Sequence, residues 1–436
     1  MLRIERRVLN MNFPKIFAAV LLATTSTFAM ANASQAADAV TAEAPVASGF
    51  NWSGLYVGFG GGVGAVERKT EITDGVDSAG LPDFGGDGVF AEVTAGYDHM
   101  VSERVLLGGF IDAHVGNIAF SFGDLSLKNK YGFDVAARAG YLLTPNTLGY
   151  VLGGYTWQRI ELDVPGAILM KKDRDGYVLG VGLETAISGN WTLKSEYRYA
   201  NYGNNVAIED LGGGGAGPAL KFEPSTHTFH VGANYRFGAQ NGGGASFAAP
   251  AYSWTGFYVG GALGAVAKID EIDGGALDGI GGQGAYGELS VGYDREFNGI
   301  WVAGLQVDGR YSGLTTQMMA MGGDSVDGKT DYGFDVVARV GAKLNESTLA
   351  YVLGGYSWQH FTAEGLDAMS FPVDKIDWSS SGFSIGGGLE TAVTNNVAVN
   401  LEYRYSRYQS EALFDGSWET TPSFHSVRAG AKYKFN

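Results

Sequence analysis

The chain contains no cysteine. That excludes disulfides, thiolate nucleophiles and thiolate metal sites, and it leaves the compartment to be read from other features. Proline is scarce, at 10 of 436 residues, so the chain is neither proline-rich nor collagenous. Charged residues make up 17%, below the roughly 25% of ordinary soluble domains. Beyond the N-terminal segment there is no apolar run of about 18 residues, so no membrane-spanning helix is expected. Basic residues are in the minority, 30 Lys and Arg against 46 Asp and Glu. A nucleic-acid partner needs a basic footprint and is therefore excluded.

Glycine and aromatic residues are abundant: 68 Gly, 23 Tyr and 24 Phe. Glycine runs such as GFGGGVGA (58–65) lack the following Lys-Ser/Thr and helix of a phosphate loop. The N-terminus has its own plan. Arg3, Arg6, Arg7 and Lys15 precede a short apolar core from Ile16, followed by small residues. This is the three-part pattern of a secretory signal peptide, assigned to residues 1–37, with Met11 as an alternative start. An Ala/Pro-rich stretch, 38–49, follows. Removal of 1–37 leaves 26 basic against 45 acidic residues, a formal net charge of −19.

The remainder is a duplication. WSGLYVGFGGGVGAV (52–66) returns as WTGFYVGGALGAVAK (254–268). DVAARAGYLLTPNTLGYVLGGYTWQ (134–158) returns as DVVARVGAKLNESTLAYVLGGYSWQ (335–359), and HTFHVGANYRFG (227–238) as HSVRAGAKYKFN (425–436). The units are 50–238 and 252–436, joined by a Gly/Ala-rich linker, 239–251, whose composition reads as flexible.

Each unit divides into eight segments of period two. In WTLKSEYRY, Trp191, Leu193, Tyr197 and Tyr199 share one face, and Thr192, Lys194, Glu196 and Arg198 the other. The connections alternate. VSER (101–104), TPNT (144–147) and SGN (188–190) are tight, whereas 67–87, 118–129, 161–174 and 203–225 read as long polar loops. Short turns on one side and long loops on the other are the plan of outer-membrane barrels. The expected fold is all-β: two tandem eight-stranded antiparallel transmembrane β-barrels. One 16-stranded barrel is the alternative, and it would be an aqueous pore.

Strand parity then sorts the charges. It points Glu92, Asp98, Asp112, Asp134, Arg138, Glu184, Lys194, Glu196, Arg198 and Arg236 into the first lumen. Into the second it points Glu288, Asp294, Asp308, Arg310, Asp335, Arg339, Glu390, Glu402, Arg404, Arg428, Lys432 and Lys434. A lone buried charge is costly, so these are expected to pair. An eight-stranded barrel is just wide enough for side chains to fill it, so the pairs should act as a plug. Inward Gly58, Gly60, Gly180 and Gly182 would leave room for the long side chains.

No catalytic, cofactor or metal site is expected. His227 and His230 lie three apart on a strand and point to opposite faces. His114 aligns with Arg310, which marks a lumen cation position rather than a ligand. Glu184 and Glu390, repeated in GLET (182–185 and 388–391), read as ion-pair partners and not as a hydrolase pair. There is no nucleophile elbow. The acidic loops lack the calcium-loop spacing.

The W-[ST]-G-x-Y-V-G opening, Y-V-L-G-G-Y-[ST]-W and the closing Y-R-F resemble the small outer-membrane β-barrel proteins of alphaproteobacteria, the Omp25/Omp31 and RopB-like, porin-family or opacity-like group. The resemblance covers both units. It implies the outer membrane of a Gram-negative bacterium, one eight-stranded barrel per unit, and a structural or surface-exposed role. Some relatives have been assigned limited pore activity. The partners it implies are outer-membrane lipids and lipopolysaccharide, the barrel-assembly machinery acting on the last strand (Tyr433, Phe435), and haemin or a host-surface ligand at the loops. The chain departs from the group in carrying two units and in having Asn436 after Phe435.

Overall fold

A computed structural model describes residues 50–73, 78–122, 124–203, 206–208, 219–240, 243–272, 277–321, 324–366, 372–413 and 418–435. The signal-peptide segment, the stretch 38–49 and parts of several long connections lie outside the described residues. The elements are β1 (Gly54–Thr73), β2 (Ser78–Met100), β3 (Val105–Phe122), β4 (Leu125–Thr144), β5 (Thr147–Val164), β6 (Ala167–Ser188), β7 (Trp191–Asn201), β8 (Val206–Ile208) and β9 (Ala219–Arg236) in the first unit. The second has β10 (Gly256–Ile272), β11 (Leu277–Phe297), β12 (Trp301–Met321), β13 (Asp324–Asn345), β14 (Thr348–Leu366), β15 (Pro372–Ala392), β16 (Val397–Tyr408), β17 (Glu411–Leu413) and β18 (Trp418–Lys434).

Two rings of eight antiparallel strands close separately. β9 returns to β1, from Tyr56↔Arg236 to Thr73↔Ala219. β18 returns to β10 in the same register, from Tyr258↔Lys434 to Ile272↔Thr420. A 16-stranded ring would break both ladders, so that alternative falls. Among the described residues, the backbone pairs between the rings are Ile280↔Phe84, Leu277↔Phe122 and Asp278↔Ser121. Short β8 pairs with β9 and β17 with β18, widening one hairpin at the outer end of each barrel.

The strands run past the membrane. About 9–11 residues suffice to cross a bilayer, yet β4 has 20 and β6 has 22. Much of what reads as loop is therefore hairpin. The expected loop 161–174 is strand on both sides of a Pro165-Gly166 turn, with Gly166 at φ +86°. Proline and glycine are suited to the central positions of such a turn. The polar, glycine-rich composition misleads here because a ladder of backbone hydrogen bonds standing in water needs no apolar face.

The alternation of exposure follows the sequence parity. On β4, Tyr131, Val135, Ala137, Ala139 and Tyr141 are exposed, and Gly132, Asp134, Ala136, Arg138 and Leu142 are buried. The charged set faces inward and the apolar set outward, the pattern of a barrel whose solvent is lipid. Exposed aromatic side chains near the strand ends, among them Tyr97, Tyr141, Trp191, Tyr293 and Trp301, occupy girdle positions.

The periplasmic end of the first barrel is closed by chain that reads as flexible in composition. Ala239 and Ala245 of the linker are buried with Phe50, Trp52 and Leu142. Arg104 stacks over Phe247 at 3.7 Å. Ala251 N–H then donates to Asn395 Oδ1 of the second barrel. The few apolar side chains of the linker anchor it.

The barrels also meet along a seam. Leu193, Ser195 and Phe229 point outward on the first barrel, and Leu389, Leu401, Tyr403 and Tyr405 on the second, yet all are buried. Phe229 stacks on Tyr403 at 5.5 Å. At the periplasmic rim Thr147 Oγ1 meets its counterpart, Thr348 Oγ1, at 2.8 Å. At the outer end His227 meets Gln283 at 2.7 Å and His425 meets Asp87 at 3.2 Å. Counterpart residues make counterpart contacts, which is the signature of an approximate two-fold relation. The outward apolar set therefore faces lipid around most of each ring and the other barrel here.

Candidate functional site: the charged lumens

Every lumen position chosen by parity is on an inward face, and all apart from the partly exposed Arg310 are buried. In each barrel they form two layers. In the first barrel, the layer nearer the short turns brings together Asp98, Arg138, Glu184 and Arg236. Arg138 reaches Asp98 through Nε at 2.9 Å and through Nη2, and Glu184 through Nη1 at 2.9 Å. Arg236 bonds the same two carboxylates at 2.8 and 3.0 Å. Glu184 is further held by Thr192 and Asn234 at 2.5 and 2.9 Å. The planar fork of arginine suits such bridging between two acids.

The outer layer of the first barrel centres on Arg198, which contacts Asp112, Asp134 at 2.8 Å and Glu196 at 2.5 Å. Lys194 pairs with Glu92 at 2.8 Å, and His230 Nδ1 approaches the same carboxylate at 2.8 Å. The second barrel repeats the scheme. Arg339 bridges Asp294 and Glu390, each at 2.8 Å. Lys434 and Lys432 add contacts to those acids at 3.1 and 2.9 Å. Farther out, Arg404 holds Asp308, Asp335 and Glu402 at 2.6–2.7 Å. Arg428 joins Glu288 and, at 2.6 Å, Glu402, and Arg310 reaches Asp335 at 2.7 Å.

Sequence reasoning missed the aromatic half of this arrangement. Tyr150 donates its hydroxyl to Glu196 at 2.6 Å, and Tyr351 to Glu402 at 2.6 Å. The rings of Tyr56 and Tyr150 flank the Arg138 guanidinium at 4.8 and 5.1 Å, favourable cation–π placements. Trp52 lies beneath Arg236 at 4.8 Å and donates its indole N–H to Pro145 O. Tyr56 and Tyr150 share the inward parity of Gly58 and Arg138, which is the signal that could have found them. Inward glycines serve these rings as well as the arginines: a Cβ on Gly182 would fall within the ring of Tyr150.

Beyond the membrane span, Arg159 forms a fork on Asp173 at 2.6 and 2.8 Å and holds that carboxyl below its ordinary range. Each lumen carboxylate has at least one oxygen bound to a cation or hydroxyl.

Two closed rings with apolar exteriors and charge-filled interiors define an outer-membrane β-barrel protein. The outer membrane protein beta-barrel domain model matches residues 17–237 and again 242–435, and the chain belongs to that family. It is 30% identical over 245 residues to the 31 kDa outer-membrane immunogenic protein of Brucella melitensis, covering 99% of that protein and 50% of this chain. It is 31% identical over 222 residues to the 25 kDa outer-membrane immunogenic protein of the same organism, covering 96% of it and 51% of this chain. It is 34% identical over 188 residues to a 22 kDa outer membrane protein of Rhizobium leguminosarum bv. viciae, covering 80% of it and 43% of this chain. These relatives are about half as long as this chain. The protein resides in the outer membrane of a Gram-negative bacterium.

Proposed function

We propose that the chain is a structural surface protein, a pair of plugged barrels carrying their outer hairpins at the cell surface, and not a diffusion pore or an enzyme. The observation that carries this is the double layer of buried ion pairs across each lumen, with Arg138 and Arg198 each bridging acids from several strands. The hairpins above the membrane, with their acidic stretches, are the surface offered to lipopolysaccharide or to a ligand such as haemin. Tyr433 on the last strand and Phe435 just past its end lie exposed and edge to face at 5.3 Å, which supports a role in recognition by the assembly machinery.

The test is conductance of the refolded full chain in planar bilayers. The expected outcome is an absence of stable channels. Regular steps of nanosiemens size would overturn the reading in favour of a porin.

A further inference from the structure

The two barrels differ at one place in a way that ordinary drift between ion pairs does not explain. In the second barrel Asp335 is fully satisfied. Arg404 reaches Oδ2 at 2.6 Å, while Arg310 at 2.7 Å and Ser357 at 2.6 Å reach Oδ1. In the first barrel the counterpart of Arg310 is His114. Arg198 still reaches Asp134 Oδ2. Oδ1 of Asp134 and Oδ1 of Asp112 have no hydrogen-bond partner among the described residues, although the two residues are only 5% and 1% exposed. His114 Nδ1 stands 3.6 Å from Asp112 Oδ1, too far for a hydrogen bond. An unsatisfied buried carboxylate oxygen is costly, and two beside one imidazole more so.

Donor atoms of Asp112, His114 and Asp134 all lie within 4.8 Å of one another. Ligands bound at about 2.1 Å to a tetrahedral ion stand roughly 3.4 Å apart, so the widest pair of the triad has at most about 1.4 Å to close. A cavity of about 40 Å³ borders His114, Asp134 and Asn129. Asn129 Oδ1 is likewise without a hydrogen-bond partner. His114 is partly exposed, which leaves a route from the outer mouth.

We infer that the outer end of the first lumen is a divalent-metal site, in which Asp112, His114 and Asp134 bind an ion that supplies the positive charge Arg310 supplies in the second barrel. One imidazole and two carboxylates suit a borderline ion of the zinc class. Arg198 need not leave, because the second barrel already tolerates two cations around Asp335.

The test uses the refolded full chain, dialysed against Zn²⁺ and assayed for bound metal by mass spectrometry. Folding of every variant is checked by heat-modifiable gel migration. The expected result is one Zn²⁺ per chain, lost in His114→Arg, which installs the arrangement of the second barrel, and lost in His114→Gln. The reciprocal Arg310→His should gain a second equivalent. Absence of saturable Zn²⁺ binding by the unaltered chain would overturn the proposal, as would binding that survives His114→Arg in a folded protein.

Discussion

At the lumen positions selected by parity, the first barrel sets six carboxylates against four arginines and lysines, and the second sets six against six. The difference is the replacement of two arginines, Arg310 and Arg428, by His114 and His230 at counterpart positions. A second change is compensated. Lys194 in the outer layer of the first barrel has Asn400 as its counterpart, while Asn234 in the inner layer has Lys432. A lysine has moved from one layer to the other, and Arg428 takes up Glu288 where the lysine would have served Glu92. The duplication shows which features the fold holds fixed. All six lumen carboxylates of the first barrel and the two bridging arginines Arg138 and Arg198 have identical counterparts in the second, the arginines in Arg339 and Arg404, while the other lumen cations change strand or type. A filled and paired lumen is required; a particular set of pairs is not.

That comparison can be broken most severely at the bridging arginines. Among the described residues, Arg138→Met leaves Asp98 and Glu184 with Arg236 as their one cation, whereas Arg339→Met leaves Asp294 and Glu390 with both Lys434 and Lys432. Removing one member of a buried network costs about 3–5 kcal/mol. Urea unfolding of the two variants in vesicles should show the larger loss for Arg138→Met; equal losses would mean that the lysines do not substitute for the missing fork. A smaller effect is expected at the tyrosines. Tyr150→Phe removes a hydroxyl donated to Glu196, and hydrogen bonds to charged groups are worth about 1.5–3 kcal/mol. Tyr351→Phe removes the matching bond to Glu402 and also leaves Asn400 Nδ2 without the oxygen it reaches at 3.2 Å. The second-barrel variant should therefore unfold at the lower urea concentration, and the reverse order would count against the paired roles assigned here.

The smallest perturbation probes the seam. The chain is free of cysteine, so Thr147→Cys with Thr348→Cys introduces a single pair of thiols at hydroxyls that touch at 2.8 Å. Oxidation should close an intramolecular disulfide, seen as faster migration on a non-reducing gel, with little change in stability beforehand. Failure to crosslink, or crosslinking only between chains, would rule out the side-by-side arrangement.

Much of this was legible in the sequence, for identifiable reasons. Period-two alternation places Asp134 and Arg138 inward whatever the details of the ring, because a strand has only two faces. The tight turns TPNT and SGN gave the asymmetry of the two ends. The seam was not legible. Leu193, Phe229 and Tyr403 are the side chains a lipid-facing strand would carry, since acyl chains and a neighbouring barrel offer equally apolar surroundings. Nor were the tyrosine partners of the lumen, because Tyr150 is as suitable for a membrane girdle as for a bore. Hairpin length was hidden in stretches such as 161–174, where the backbone ladder continues through residues with no apolar alternation to announce it.

The tucked linker has a consequence for how the pair comes to exist. Two free barrels adrift in a crowded bilayer would have to find one another and hold on against lipids that are as good a solvent as protein. Joined through Ala239, Ala245 and Phe247 under the first barrel, they experience a local concentration on the order of millimolar. The seam can therefore be thin, a few rings and hydroxyls, and still remain closed. Stoichiometry is written into the chain, so every copy delivers two unlike sets of surface hairpins in a fixed one-to-one ratio.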